Sequence, residues 1–157
     1  PSKEQLENIF KAGLRACDHK SLRPWQFLTI EGEARHAFGD LMADVKEAVE
    51  GAAITPELRE KLRSKPLRAP LIVVVVANIV PHPKVPEIEQ VLSAGASAQM
   101  MMTAAYAQGV GAIWRSGSMM FHPAVDKTTH RKVVERLHRI LNQTYYEVKI
   151  VLRFTRG

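Results

Sequence analysis

The chain has 157 residues, of which 46% are hydrophobic and 24% are charged. This length and balance exclude wholesale disorder and allow one domain with a substantial core. The formal net charge is +6, but residues 1–126 carry 14 Lys or Arg and 14 Asp or Glu. The whole excess of positive charge therefore lies in residues 127–157. A protein that is basic only in this segment is a weaker candidate for a general nucleic-acid-binding surface.

The first elements are a helix and a strand joined by a cation-rich loop. Ser2 begins a capping-box sequence, and apolar residues at helical spacing predict an amphipathic helix over residues 3–15. Because Pro24 disfavours helical backbone at the preceding residue, Arg23, we expect a switch there to an extended strand over residues 26–30.

Helices and one strongly apolar strand fill the middle of the chain. Helices are predicted over residues 33–49 and 56–62, the second inside a polar segment, 51–68, that is either a lid or a simple crossover. Residues 70–77 are β-branched and continuously apolar, which predicts a strand buried on both faces by helices. An Ala- and Met-rich helix is predicted over residues 87–108.

This last helix is about 33 Å long and apolar on most sides, so we expect it to be buried nearly all round. A domain of this size has little room to bury such a helix alone. Burial of the helix in a homodimer interface is the simplest way to cover its apolar surface, and Met100, Met101 and Met102 suit such an interface. The alternative is a central core helix in a monomer.

The final third of the chain continues the mixture of helices and strands. Gly109 ends the long helix, and a short strand is predicted over residues 112–114. A helix over residues 131–141 follows, and clean apolar–polar alternation predicts a last strand over residues 146–154. This order indicates an α/β or α+β fold around one sheet.

The loop after the first helix, residues 15–24, concentrates cations just before Trp25. Arg15, His19 and Lys20 are candidates for binding an anion, because Arg offers a planar fork of donors. In the alternative interpretation these cations complement the helix dipole in a solvated loop, and Trp25 is a core anchor.

A second loop, at the end of the short strand, has the same character. Trp114 offers an aromatic face, Arg115 a cation at the end of a buried strand, and Ser116 a hydroxyl. Neither a GxGxxG fingerprint nor a phosphate-binding loop ending in GK[ST] is present. The six histidines show no close pairing typical of zinc, so no metal is expected.

The sequence carries no recognisable targeting signal. It opens on a helix start rather than a signal peptide, and its longest apolar run, residues 69–77, is far shorter than the about 20 residues that span a bilayer. The single cysteine, Cys17, fits a reducing compartment. We therefore expect a cytoplasmic protein that does not associate with membranes.

Five sequence blocks occur in a recognisable order: Arg15-Ala-Cys-Asp-His-Lys-Ser-Leu-Arg-Pro-Trp-Gln-Phe, Arg68-Ala-Pro-Leu-Ile-Val, Ser93-Ala-Gly-Ala, Ala107-Gln-Gly-Val-Gly and Trp114-Arg-Ser-Gly. Together they resemble the FMN-dependent nitroreductases, specifically the small YdjA-like branch. The resemblance covers about residues 3–125. It implies one FMN-binding domain over residues 1–157, of which residues 126–157 are basic and diverged.

The resemblance also implies a fold and a reaction. The fold would be an α+β, three-layer sandwich in which helices flank a mixed sheet, with the long helix at a homodimer interface and FMN bound there. The reaction would be hydride transfer from NADH or NADPH to the flavin, then two-electron delivery to a nitroaromatic, quinone or related acceptor by a ping-pong route. No catalytic side chain is implied, because the chemistry resides on FMN.

Site residues follow from the matching blocks. The resemblance implies that FMN is contacted by Arg15, His19, Trp114, Arg115 and Ser116. It implies that the nicotinamide nucleotide is bound by a segment at the end of the long helix, comprising Ala104, Ala105, Tyr106, Ala107, Gln108 and Gly109.

Two departures from the family pattern motivate other functions. The family's Arg-Arg-Ser-type FMN motif precedes the first helix, and Pro1 lies after that point; Cys17 stands where the family usually has Pro. One alternative is therefore a catalytically degenerate flavin-binding or dimerisation module. The basic residues 127–157 motivate another, a nucleic-acid or acidic-partner binder.

Overall fold

A computed structural model of the chain describes residues 1–116 and 147–156. Within these residues eight regular elements follow one another: α1 (Lys3–Gly13), β1 (Trp25–Glu31), α2 (Ala34–Glu50), α3 (Pro56–Ser64), β2 (Leu71–Ala77), α4 (Glu87–Ala107), β3 (Val110–Arg115) and β4 (Glu147–Arg156). Short 3₁₀ turns occupy His19–Ser21 and Lys65–Arg68. The helix predicted over residues 131–141 lies outside the described residues.

The described strands form one sheet in the order β1-β2-β4-β3, and each neighbouring pair is antiparallel. The last strand of the chain is therefore inserted between β2 and β3. Its pairing with β2 shifts between Val75 and Val76, leaving Lys149 as an extra residue in the ladder, a β-bulge that increases the local twist. The predicted final strand is confirmed, and it is internal in the sheet.

Helices cover both faces of β2, whose seven residues are all buried. The alternation of side chains along a strand divides them between two clusters. Leu71, Val73, Val75 and Ala77 pack with α1 and α4 on one face, whereas Ile72, Val74 and Val76 pack with α2 on the other. The three-layer α+β sandwich that the resemblance implies and the doubly buried strand predicted from the sequence are both confirmed. The implied mixed sheet is not found among the described strands, which pair only in the antiparallel sense.

The polar segment between α2 and β2 is a docked crossover. A Cβ added to Gly39 would overlap the carbonyl oxygen of Arg63, so α3 approaches α2 at backbone distance. The Arg63 Nε atom lies 2.6 Å from the Asp40 carboxylate, and the Arg59 Nη2 atom lies 2.6 Å from that of Glu47. The hydrogen bond that Arg59 donates to the Glu47 carboxylate is the main cause that raises the pKa of Arg59. This close docking favours the crossover over the lid.

Within residues 1–116 and 147–156, no helix is both long enough and apolar enough to cross a membrane.

Replacing Gly39 with Ala is expected to destabilise the protein by about 1–3 kcal/mol, the usual cost of overpacking. Ala is ordinarily about 1 kcal/mol better than Gly inside a helix, but here its methyl group meets the backbone of Arg63, which cannot rotate away. Thermal unfolding followed by circular dichroism should show a melting temperature lower by several degrees.

The matched control is Gly95→Ala in α4. A Cβ at Gly95 meets only a ring carbon of Trp114, at 3.9 Å, which is an ordinary contact. Its melting temperature should be unchanged or higher. An equal loss of stability in both variants would contradict the close docking of α3 on α2.

Candidate functional site

The first cationic loop starts where α1 packs most closely on α4. A Cβ on Gly13 would lie 2.7 Å from Cγ of Met101, and the Ser97 hydroxyl donates to the Gly13 carbonyl oxygen at 2.8 Å. α1 ends at Gly13 with Leu14 as its C-cap, two residues earlier than the periodicity predicted. Arg15 therefore lies just beyond the helix, at a position set by the contact with α4.

The backbone of this loop is unusual. Lys20, Ser21 and Arg23 have φ angles of 64°, 53° and 49°, in the left-handed region that non-glycine residues seldom adopt. The extended conformation expected at Arg23 is therefore wrong. The Trp25 amide donates to the Arg23 carbonyl oxygen at 2.8 Å, which closes a tight turn around Pro24 and reverses the chain into β1.

Surrounding groups hold this conformation in place. The Asp18 carboxylate accepts a hydrogen bond from the Arg23 amide at 2.8 Å, and the Asn78 amide donates to the Pro24 carbonyl oxygen at 3.1 Å. Trp25 is 8% exposed, which confirms its interpretation as a core anchor. Strained backbone that several contacts maintain is typical of functional loops.

The cations of the loop have different surroundings. His19 Nδ1 lies 3.0 Å from Oε2 of Glu89, in the first turn of α4. Arg15 and Lys20 are exposed, and among the described residues neither side chain has an ion-pair partner. Arg15 and Lys20 are therefore free to meet a ligand, whereas His19 is already bound to an acid of this chain.

The second loop begins at the exposed end of β3. Burial falls along this strand from Val110, which is buried, to Arg115, which is exposed. In the described sheet β3 has β4 as its single neighbour, so it is an edge strand, and the expected buried strand end at Arg115 is wrong. The Trp114 side chain is 37% exposed, and its ring lies beside Gly95 of α4; Ser116 is also exposed.

The two loops lie on opposite flanks of one ridge of α4. Leu92, which is 64% exposed, is midway between Glu89, the partner of His19, and Gly95, the neighbour of Trp114. Three residues of helix rotate by about 300°, so Glu89 and Gly95 are turned about 60° from Leu92 in opposite directions. Within one protomer, the Leu92 side chain therefore separates the two loops.

This ridge runs the length of α4. At helical spacing it comprises Ile88, Leu92, Gln99, Thr103 and Tyr106, of which Ile88 is 62% and Tyr106 86% exposed. We call these five residues the α4 ridge. The helix is consequently buried on one side within the protomer, not nearly all round as expected.

The three consecutive methionines of α4 face different ways. Met101 is fully buried and Met102 packs partly against the same core cluster, whereas Met100 is 38% exposed. The expectation that all three suit an interface is therefore wrong for Met101. Successive residues of a helix point about 100° apart, so three in a row cannot share one surface.

The segment expected to bind the nicotinamide nucleotide lies at the other end of α4. Ala105 is fully buried, and the Gln108 amide nitrogen donates to the Gln5 and Ala104 carbonyl oxygens at 3.2 and 3.0 Å. Tyr106, in contrast, is 86% exposed. About 24 Å of helix separates Glu89 from Ala105, so one protomer does not bring this segment together with the first cationic loop.

The donor set on the two flanks has a recognisable chemistry. Two exposed guanidinium groups, Arg15 and Arg115, an exposed indole, Trp114, and the Ser116 hydroxyl suit a planar ligand that carries negative charge. Among the described residues, no group of three or more His, Cys, Asp or Glu side chains is placed to hold a metal ion.

Sequence reasoning missed two contributors to this site. Glu89 carries no local signal, because its partner His19 is 70 residues away in the sequence. Gly95 does lie within one of the five family blocks, but its role as the surface on which Trp114 packs depends on the approach of β3 to α4. Pairing across such separations is decided by the tertiary structure.

This fold is that of the nitroreductase-like proteins. The crystal structure of a nitroreductase-like family protein from Bacillus cereus superposes with a TM-score of 0.72 at 22% identity, covering 99% of this chain and 75% of that one. A nitroreductase from Bacteroides fragilis with bound FMN gives a TM-score of 0.68 at 18% identity, covering 100% and 78%. At these identities the likeness establishes the fold.

The sequence establishes the family. The model of the nitroreductase family matches residues 1–142. Escherichia coli (strain K12) YdjA, which carries the name of an NAD(P)H nitroreductase, is 46% identical over 125 residues, 80% of this chain and 67% of that protein. A similarly named protein from Haemophilus influenzae is 41% identical over 118 residues, 74% of this chain and 62% of its own length.

The chain therefore belongs to the nitroreductase family. The expected family, YdjA-like branch and class of enzyme, a nitroreductase-like oxidoreductase, are confirmed.

The alternative function, binding of nucleic acid through the basic residues 127–157, stays a prediction. Residues 147–156 of this segment form the internal strand β4, and residues 127–146 lie outside the described residues.

Replacing Asp18 with Ala is expected to loosen the first cationic loop, because the Arg23 amide loses its acceptor. A hydrogen bond of about 1 kcal/mol corresponds to roughly fivefold more opening of the loop. Trypsin cleavage after Lys20, followed by mass spectrometry under native conditions, should accelerate by that factor. Asp18→Asn retains an acceptor oxygen and should be cleaved like the wild type; equal rates in all three proteins would contradict the role of Asp18.

Proposed function

We propose that this protein is an FMN-dependent oxidoreductase that acts as a homodimer. It would transfer electrons from NAD(P)H to nitroaromatic, quinone or similar acceptors by a ping-pong mechanism. Among its structural neighbours, the nitroreductase NfnB from Mycobacterium smegmatis is described as FMN-dependent and in complex with NADPH. The observation that carries the proposal is the position of the two cationic loops on opposite flanks of the α4 ridge.

The α4 ridge supports the homodimer. Ile88, Leu92 and Tyr106 expose apolar or aromatic surface along one helix face. Symmetric dimers bury the same patch on both protomers. A second copy seated on this ridge would cover that surface and bring its own flanking loops beside those of the first, so each site would take one loop from each protomer.

The donor set fits FMN in such a shared site. Arg15 and Arg115 would hold the phosphate and the negative charge that develops on the reduced ring, because fixed cations favour that charge. Trp114 would pack its exposed indole against the ring system, Ser116 would supply a hydroxyl, and His19 a ring nitrogen. When bound, FMN supplies the hydride and two-electron chemistry, so the side chains are needed for binding, orientation and charge.

A ping-pong order requires both substrates to use one face of the flavin in turn, and we propose that order here. NAD(P)H would bind first and leave in its oxidised form, and the acceptor would then occupy the same face of the site. For the nicotinamide nucleotide we propose the segment Ala104–Gly109. Its accessible part is Tyr106, Ala107 and Gly109, because Ala105 is buried and the Gln108 side chain is bound to α1.

FMN uptake tests the function directly. Desalted protein incubated with FMN should retain a flavin absorbance band near ~450 nm that bleaches when NADH or NADPH is added without oxygen. Arg115→Ala should weaken FMN binding by about tenfold or more, the loss expected for a charge-assisted hydrogen bond. Lys3→Ala, which removes an exposed cation at the start of α1, should leave the affinity unchanged.

The possible failures are distinct. A wild-type protein that takes up no FMN would refute the proposal. Uptake of FMN without bleaching by either nucleotide would favour the catalytically degenerate flavin-binding module instead. Equal affinities of Arg115→Ala and Lys3→Ala would remove Arg115 from the site.

A charge on the α4 ridge tests the homodimer. Leu92→Glu should yield a monomer in analytical ultracentrifugation, because an unpaired carboxylate would be buried at the centre of the interface, and the monomer should lose FMN uptake. Leu67→Glu introduces the same charge at another exposed leucine, 38% exposed and in the 3₁₀ turn after α3. It should remain dimeric.

Heterodimers show whether each site is shared. One protomer would carry Arg15→Ala and the other Arg115→Ala, with two affinity tags to isolate the mixed species. If each site combines loops from both protomers, one of its two sites keeps both arginines, and half of the FMN stoichiometry should remain at wild-type affinity. A mixed dimer with no wild-type site would show that each site lies within one protomer.

A further inference from the structure

We propose that Glu89 is a positioning residue that holds the His19 imidazole in one tautomer and one orientation, leaving Nε2 as the nitrogen that meets a ligand. The identity of that ligand as FMN rests on the proposed function above. The geometry of the pair does not: His19 and Glu89 come from different elements and meet through Nδ1 and Oε2 at 3.0 Å.

The contact determines where the imidazole hydrogen lies. A carboxylate is an acceptor only, so Nδ1 must carry the hydrogen that His19 shares with Glu89. Nε2 is then the nitrogen left for another group, and among the described residues it has no partner. A carboxylate that orients a histidine through Nδ1 in this way is a recurrent device at binding sites.

Stability does not account for the pair. Both side chains are 47% exposed, and ion pairs so open to water contribute little to folding because solvent and salt screen them. Glu89 is also more than a helix-capping charge, since Glu87 in the same first turn of α4 already places a carboxylate at this helix end. Its specific contribution is the contact with His19.

The first turn of α4, which carries Glu89, is anchored through Gln90, which is 1% exposed. The Gln90 amide nitrogen donates to the carbonyl oxygens of Val80 and Val85 at 2.8 and 3.3 Å, and its Oε1 accepts from the Val80 amide at 2.9 Å. These three hydrogen bonds tie the first turn of α4 to the preceding loop. Glu89 thus projects from a rigid support.

His19 lies on a much less regular segment. It begins the 3₁₀ turn His19–Ser21, in which Lys20 and Ser21 have left-handed φ angles. Such a turn does not by itself restrict the imidazole, so a contact from a rigid element is what orients the ring. Glu89 provides that contact at the flank of the α4 ridge, where the proposed site lies.

Three variants separate positioning from charge. Glu89→Ala removes the acceptor and the charge, Glu89→Gln keeps an acceptor oxygen and removes the charge, and Glu87→Ala removes a charge from the same helix turn without touching His19. Nitrogen-15 NMR of the imidazole in the FMN-free protein reports which ring nitrogen carries the hydrogen, and an FMN titration reports affinity. Thermal unfolding of each variant shows whether its fold is intact.

Glu89→Ala should lose the fixed Nδ1–H tautomer and bind FMN roughly fivefold to tenfold more weakly. Glu89→Gln should keep a hydrogen bond to Nδ1 and bind FMN within about twofold of wild type, but its amide can accept or donate, so it should no longer impose a single tautomer. Glu87→Ala should match the wild type in both measurements, and all three should unfold at nearly the same temperature.

Two results would overturn the proposal: an unchanged His19 tautomer in Glu89→Ala, or an equal loss of FMN affinity in Glu87→Ala, which would show a charge effect of the whole helix end. If the wild type takes up no FMN, the proposed function fails, and the NMR comparison of the FMN-free proteins still decides whether Glu89 positions His19.

Discussion

The contact between α1 and α4 at Gly13 determines where the candidate site lies. No side chain fits between Gly13 and Met101, and the Ser97 hydroxyl, fully buried, closes the contact by donating to the Gly13 carbonyl oxygen. α1 therefore ends against the middle of α4. The cationic loop that follows has to run along α4 toward its first turn, where His19 meets Glu89.

α4 serves the core and the site at the same time. One side of the helix packs on the sheet through residues such as Ala98 and Met101, both fully buried. The opposite side forms the α4 ridge, which is exposed and partly apolar. Because exposed apolar side chains such as Ile88 and Leu92 are unfavourable in water, we connect the ridge with the proposed homodimer, in which each site would take one flanking loop from each protomer.

Local sequence signals predicted the regular elements well and the loops poorly. The capping box at Ser2, the apolar run of β2 and the stop at Gly109, whose φ is 70°, act over a few residues, so their structural effects can be read directly. Arg23 was expected to be extended, but the turn around Pro24 and the Asp18 carboxylate hold it in the left-handed region. The hydrogen bonds of the Arg23 amide to Asp18 and of the Asn78 amide to the Pro24 carbonyl oxygen overrode the local preference of a residue before proline.

The sequence by itself determined the order of the elements that the structure describes and the doubly buried strand, because periodicity and capping are properties of neighbouring residues. Its ordered motif blocks also determined the family, and the three layers followed from that resemblance. Only the tertiary structure decided that His19 pairs with Glu89, that Trp114 packs beside Gly95, and that Leu92 stands between them. Those relations depend on how α1 and β3 dock against α4. Close contacts such as that of Gly13 with Met101 determine how these elements dock, and no local pattern in the chain encodes them.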